Sequence, residues 1–82
     1  MTSKDKAKEP YARYSMIIEW SNEDEAYIVT VPELPGCVTH GNTYEEAVRQ
    51  GQDAIEGWIG VAQELGRPVP APKVRENVTT QL

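Results

Sequence analysis

The chain has 82 residues, 39% hydrophobic and 26% charged, with a formal net charge of −5. That length holds one domain, the composition is that of a folded chain, and no apolar run approaches the ~20 residues of a membrane span. A single cysteine, Cys37, and a single histidine, His40, exclude an intrachain disulfide and a cysteine-rich zinc site, and they argue against a Ser-His-Asp device. The charge is unevenly spread: residues 14–66 carry ten carboxylates against Arg49 alone, while residues 1–13 and 67–82 are each net positive. An acidic body repels a phosphate backbone, so direct DNA binding is not expected. It suits a basic protein partner, although solubility alone accounts for much charge of this kind. A soluble, cytoplasmic chain is expected.

Residues 1–12, polar and lysine-rich through Pro10, read as a flexible lead-in. From Tyr14 to Trp20 the pattern alternates strictly: Tyr14, Met16, Ile18 and Trp20 on one face, Ser15, Ile17 and Glu19 on the other. That period of two predicts a strand. The polar cluster Ser21-Asn22-Glu23-Asp24-Glu25 predicts a turn, and Ala26 to Val31 a second strand pairing antiparallel with the first. Pro32, Pro35 and Gly36 end that strand and redirect the chain. The short run from Cys37 to His40, closed by Gly41, reads as a third strand.

Thr43 followed by Glu46 forms a T-x-x-E capping box, with Glu45 and Glu46 placed where the helix dipole favours negative charge. Ala47, Val48, Gly51, Ala54, Ile55, Trp58, Ile59, Ala62 and Leu65 recur at helical spacing and predict a helix over 44–65 with one apolar face. Gly57 and Gly60 fall on its polar side, either as tolerated residues or where a neighbouring subunit comes close. Gly66 and Pro68 stop the helix, and the alternating prolines of 68–72 impose an extended path back along the domain. Residues 73–82 could add a fourth strand at a sheet edge or cross to another protomer.

The order predicts an α+β fold: a two-layer β-β-β-α-(β) sandwich, an antiparallel three- to four-stranded sheet with one long helix. One helix covers one face of the sheet, so the apolar part of the other face predicts a homo-oligomer, a dimer or tetramer. Two-metal nuclease chemistry needs convergent carboxylates, and Glu19 with the helix acids assembles no such cluster. Cys37 and His40 read as packing or surface residues. No catalytic residue, metal or cofactor is expected.

The residues Glu19-Trp20, Tyr27 to Pro32, Leu34-Pro35-Gly36-Cys37, Gly41-Asn42-Thr43, Glu45-Glu46-Ala47, Trp58 and Gly66 to Pro70 together resemble the HicB-like antitoxin family of type II toxin–antitoxin systems. The resemblance runs from Tyr14 through Pro72, within a domain expected over 13–72. It implies a partial ribonuclease H-like fold acting as a non-catalytic domain that caps a small basic mRNA-cleaving toxin, HicA. Many members carry a further DNA-binding module, which residues 73–82 are too short to hold. Pro32, Pro35, Gly36, Gly41, Thr43, Glu46, Ala47 and Trp58 are expected to determine the fold. Glu23, Asp24 and Glu25 of the turn, with Glu45 and Glu56 of the helix, are the expected partner contacts. The alternative is a stand-alone HicB-like oligomer, regulatory or structural, without a toxin.

Overall fold

The structure, a computed structural model, describes residues 11–75. Three strands, β1 (Ile17–Ser21), β2 (Ala26–Thr30) and β3 (Val38–Gly41), precede one helix, α1 (Tyr44–Glu64). The strands form one antiparallel sheet in the order β1-β2-β3, so the α+β arrangement is the expected one. Most of the lead-in expected over 1–12, and most of the fourth strand or protomer contact expected over 73–82, lies outside the described residues. Residues 73–75 carry no strand.

Register follows from the alternation. Ile18 pairs with Val29 and Trp20 with Tyr27, while Tyr27 pairs with Gly41 and Val29 with Thr39. Cross-strand partners share a face, so Ile18, Trp20, Tyr27 and Val29 lie on the helix side, and Ile17, Glu19, Ile28 and His40 on the other. The first strand begins at Ile17 rather than Tyr14. Tyr14 turns inward, 8% exposed, and its hydroxyl donates to the Pro70 carbonyl.

Two consecutive turns join β2 to β3. The Leu34 N–H donates to the Val31 carbonyl at 3.1 Å, and the Cys37 N–H to the Leu34 carbonyl at 3.0 Å. Pro32 and Pro35 hold the second position of each turn, where their fixed φ fits. Gly36, at φ 78°, takes the left-handed third position of the second turn. The double turn carries Leu34 inward until it is 1% exposed.

At the helix start the Thr43 Oγ1 accepts from the Glu46 N–H at 3.0 Å, as the capping motif predicts. The reciprocal half differs: the Glu46 carboxylate accepts from the Asn42 N–H at 2.6 Å, not from Thr43. With Thr43 extended at φ −130° and ψ 166°, the amide in reach is the one before the cap. At the other end the Arg67 N–H donates to the Ala62 carbonyl at 2.8 Å and the Gly66 N–H to the Gln63 carbonyl at 3.1 Å. With Gly66 at φ 70°, that is a Schellman stop.

The helix buries Ala47, Gly51, Ile55, Ile59 and Ala62. Its first half lies close on the sheet: a side chain at Gly41 would run into the Ala47 backbone, and one at Gly51 into the Met16 sulfur. Its second half covers the larger core, in which Tyr14, Val31, Leu34, Cys37, Ile55 and Ile59 cluster, with Tyr11, Met16, Ala54, Trp58 and Val69 packed around them. Each aliphatic side chain buried there contributes about 1.5–3 kcal/mol. Two members of the expected apolar stripe are instead exposed, Val48 at the border of the stripe and Leu65 as the cap residue that ends the helix. After the stop the proline-rich strap returns across the domain, and the Lys73 N–H donates to the Glu33 carboxylate at 2.8 Å.

Candidate partner-binding site

The close approach at Gly41 sets the geometry of one end of the molecule. Because Gly41 has no side chain, α1 begins directly against the sheet, and Tyr44, its first residue, stacks on Tyr27 of β2. The ring centroids are 4.3 Å apart and the planes 29° from parallel. Tyr27 meets Trp20 of β1 edge-on, at 5.0 Å and 71°. Three aromatics from three elements thus form one row. Trp20 is 51% exposed and Tyr44 63% exposed, with Tyr27 half-buried between them. The Trp20 indole N–H donates to Asn22 Oδ1 at 2.8 Å, which ties the ring to the hairpin turn. Burial, and then the adjacent Tyr44, push the Tyr27 phenol above its ordinary value and keep it neutral.

The turn joining Trp20 to Tyr27 carries Glu23, Asp24 and Glu25, all exposed. The Ser21 hydroxyl accepts from the Asp24 N–H and donates to the Asp24 carboxylate, both at 3.2 Å, and Glu25 closes the loop at φ 52°. Glu45 follows Tyr44 in the first helical turn. No Lys or Arg occurs in the sequence between Arg13 and Arg49. The hairpin turn and the first helical turn that adjoin the aromatic row in the chain thus carry carboxylates and no cation.

Of the five carboxylates expected to meet a partner, Glu23, Asp24, Glu25 and Glu45 belong to the elements that build this end. Glu56 does not: it is half-buried in mid-helix and borders a small cleft with Tyr11, Ala12, Gln52 and Asp53. Trp20, Tyr27 and Tyr44 were not expected as contacts, because each reads locally as part of a strand face or a helix start. The signal was present in the register, since a short turn after Trp20 sets it opposite Tyr27.

A second surface lies towards the helix C-terminus. An open apolar groove of about 670 Å³ runs between α1 and residues 35–38, lined by Ala54, Trp58, Val61, Leu65 and Val38 among others. Val38 and Val61 are 56% exposed and Leu65 60% exposed. Trp58 is half-buried in the wall, its indole N–H donating to the Pro35 carbonyl at 2.9 Å. Gly57 lines the groove and faces open space. Cys37 is buried beneath it, and that burial pushes its thiol up, away from the reactive thiolate. His40 is exposed on the outer face. Among the described residues no group of three or more His, Cys, Asp or Glu is placed to hold a metal ion, and no helix is long and apolar enough to cross a membrane.

The family described as HicB-like antitoxin of bacterial toxin-antitoxin system matches residues 14–82. The chain belongs to the HicB-like antitoxin family. Similar proteins occur in archaea, a bacterium and a phage. The chain is 36% identical over 64 residues to a UPF0150 protein of Thermoplasma acidophilum, covering 78% of this chain and 91% of that one. A UPF0150 protein of Archaeoglobus fulgidus is 34% identical over 53 residues, covering 65% of this chain and 75% of the relative. An uncharacterised 14.9 kDa protein of Haemophilus phage HP1 is 36% identical over 61 residues, which is 70% of this chain and 44% of the phage protein. Membership of the HicB-like family directs attention from pockets for small molecules to surfaces for a protein, and the acidic aromatic end is exposed.

Proposed function

We propose that the chain is a cytoplasmic type II antitoxin that works by binding alone, covering a small, basic, HicA-type mRNA-cleaving toxin and so keeping RNA from it. The observation that carries this reading is the row Trp20-Tyr27-Tyr44, exposed at the end of the molecule built with Glu23, Asp24, Glu25 and Glu45. Trp and Tyr are the side chains that most often dominate interface energies, because they bury large area at little entropic cost. The surrounding carboxylates raise the rate of encounter with a basic surface and disfavour acidic ones. No bond to the toxin and no chemistry on it is required; neutralisation is occlusion.

The test is co-expression with a small basic HicA-type protein, sought first in the gene beside that of this chain. The expected result is relief of the growth arrest that the basic protein causes, with a complex that co-purifies and weakens as salt rises. Arrest that persists, with no complex, overturns the reading. A second reading, a stand-alone HicB-like oligomer of regulatory or structural role, is favoured by the apolar groove and by Ile17, 47% exposed on the open face of the sheet. Self-association through those surfaces is compatible with either role, because the acidic aromatic row is built from other residues.

A further inference from the structure

We propose that the aromatic row is a guanidinium platform: Trp20, Tyr27 and Tyr44 receive arginine side chains of the basic partner, and the neighbouring carboxylates pair with the same groups. The inference rests on the reading of a basic partner and adds which side chain it presents and where. Stacking of Tyr44 on Tyr27 and the edge-on contact of Trp20 explain how the three rings are held. They do not explain why Trp20 and Tyr44 remain 51% and 63% exposed, next in the chain to a turn and a helix start that carry Glu23, Asp24, Glu25 and Glu45.

That combination selects arginine. Its guanidinium is flat, stacks on aromatic faces, is weakly hydrated, and offers a fork of donors that a carboxylate accepts two at a time. A lysine ammonium is a compact, strongly hydrated charge and gains less from the rings. The acidic body of a second copy does not complement the surface, because residues 14–66 carry ten carboxylates against one arginine. The chain's own termini supply ammonium groups (Lys4, Lys6, Lys8) and guanidinium groups (Arg13, Arg67, Arg75). The Trp20 signal of an Arg13→Lys, Arg67→Lys, Arg75→Lys variant is therefore compared with that of the native chain before any peptide is added. An unchanged signal supports the partner as occupant, and a shifted one overturns it in favour of the chain itself.

The experiment uses the full isotope-labelled chain, titrated with a synthetic peptide of alternating arginine and glycine and with its lysine counterpart. The indole N–H signals of Trp20 and Trp58 are assigned with a Trp58→Phe variant. The arginine peptide is expected to shift Trp20 and leave Trp58 in place, and to bind about fivefold more tightly than the lysine peptide. Tyr44→Ala, at an exposed position, is expected to remove that preference while the melting temperature stays close to that of the native chain. Equal binding of the two peptides, or a preference that survives in both Tyr44→Ala and Trp20→Ala, overturns the platform in favour of charge alone. Movement of Trp58 in place of Trp20 overturns it in favour of the groove. A basic toxin bound equally by native chain, Tyr44→Ala and Trp20→Ala overturns the platform and leaves the antitoxin reading intact. Arginine-selective binding at Trp20 without any toxin complex supports the platform and refutes the antitoxin reading.

Discussion

The Glu33 carboxylate accepts from the Ser15 N–H at 3.1 Å, from the Ser15 hydroxyl at 2.9 Å and from the Lys73 N–H at 2.8 Å. One side chain thereby joins the start of the sheet, the turn after β2 and the strap after the helix. Burial by itself would raise its pKa; the amides of Lys73 and of Glu33 itself, with the hydroxyl and amide of Ser15, outweigh burial and hold the carboxyl below its ordinary value. A lowered folded-state pKa means stabilisation that is complete above the ordinary carboxylate value and lost as pH falls through the folded value. Glu33→Gln should therefore cost about 1–2 kcal/mol near neutrality, and the gap from the native chain should close on acidification. Urea midpoints across a pH series check this, and a gap independent of pH contradicts it. Glu25 offers the opposite case. Its φ of 52° is left-handed, which costs a side-chain-bearing residue about 1 kcal/mol, so Glu25→Gly should raise stability by about 0.5 kcal/mol after the entropy that glycine loses. A lower melting temperature would contradict that. At this scale the sequence was a good guide to caps and turns, since Thr43, Pro35, Gly36 and Gly66 act through local backbone geometry. It misplaced the second half of the capping box by one residue, because which amide a flexible Glu46 side chain reaches depends on the path of the chain into the helix.

The elements were legible where their period is long. Twenty-one helical residues with buried Ala47, Gly51, Ile55, Ile59 and Ala62 make a repeat that short-range noise cannot hide. Strand ends were less so. Tyr14 continues the alternation of β1 in sequence, yet its ring is drawn into the core and its hydroxyl to the strap, contacts that no local pattern contains. The packing of α1 on the sheet yields two expectations. Gly41→Ala forces a methyl group against the Ala47 backbone, and backbone cannot step aside as a side chain can. It should cost about 2–3 kcal/mol and weaken the Tyr27–Tyr44 stack, seen as altered near-ultraviolet dichroism; an unchanged spectrum and midpoint would contradict the close approach. Trp58→Ala removes a half-buried ring and its hydrogen bond to Pro35, an expected cost of about 2–4 kcal/mol by chemical denaturation. A near-neutral effect would mean that the groove wall adds nothing to stability.

At the scale of the whole molecule, the two ends differ in character. One end gathers the core, the double turn and an apolar groove; the other gathers an aromatic row and acids on a thin part of the fold. The sequence showed the excess of carboxylates and the turn that holds three of them, but not the row. Trp20, Tyr27 and Tyr44 are far apart in the chain or separated by the turn, and only register and the missing side chain at Gly41 bring them together. Nor did it show the groove, because the exposure of Val61 and Leu65 depends on where the sheet leaves the helix uncovered. The strand expected after the helix, on which a ribonuclease H-like likeness would rest, would fall in residues 73–82; most of those lie outside the described part of the chain, and 73–75 carry no strand. The central claim is that an acidic, aromatic surface captures a basic toxin. Its most direct test is the rate and strength of binding between the purified chain and a small basic HicA-type protein, measured across a range of salt. The native chain should form a complex that salt weakens, and a variant with Glu23→Gln, Asp24→Asn and Glu25→Gln together should associate about tenfold more slowly with a shallower salt dependence. A complex formed at the same rate with the same salt dependence by that variant would contradict the account, as would no complex at all.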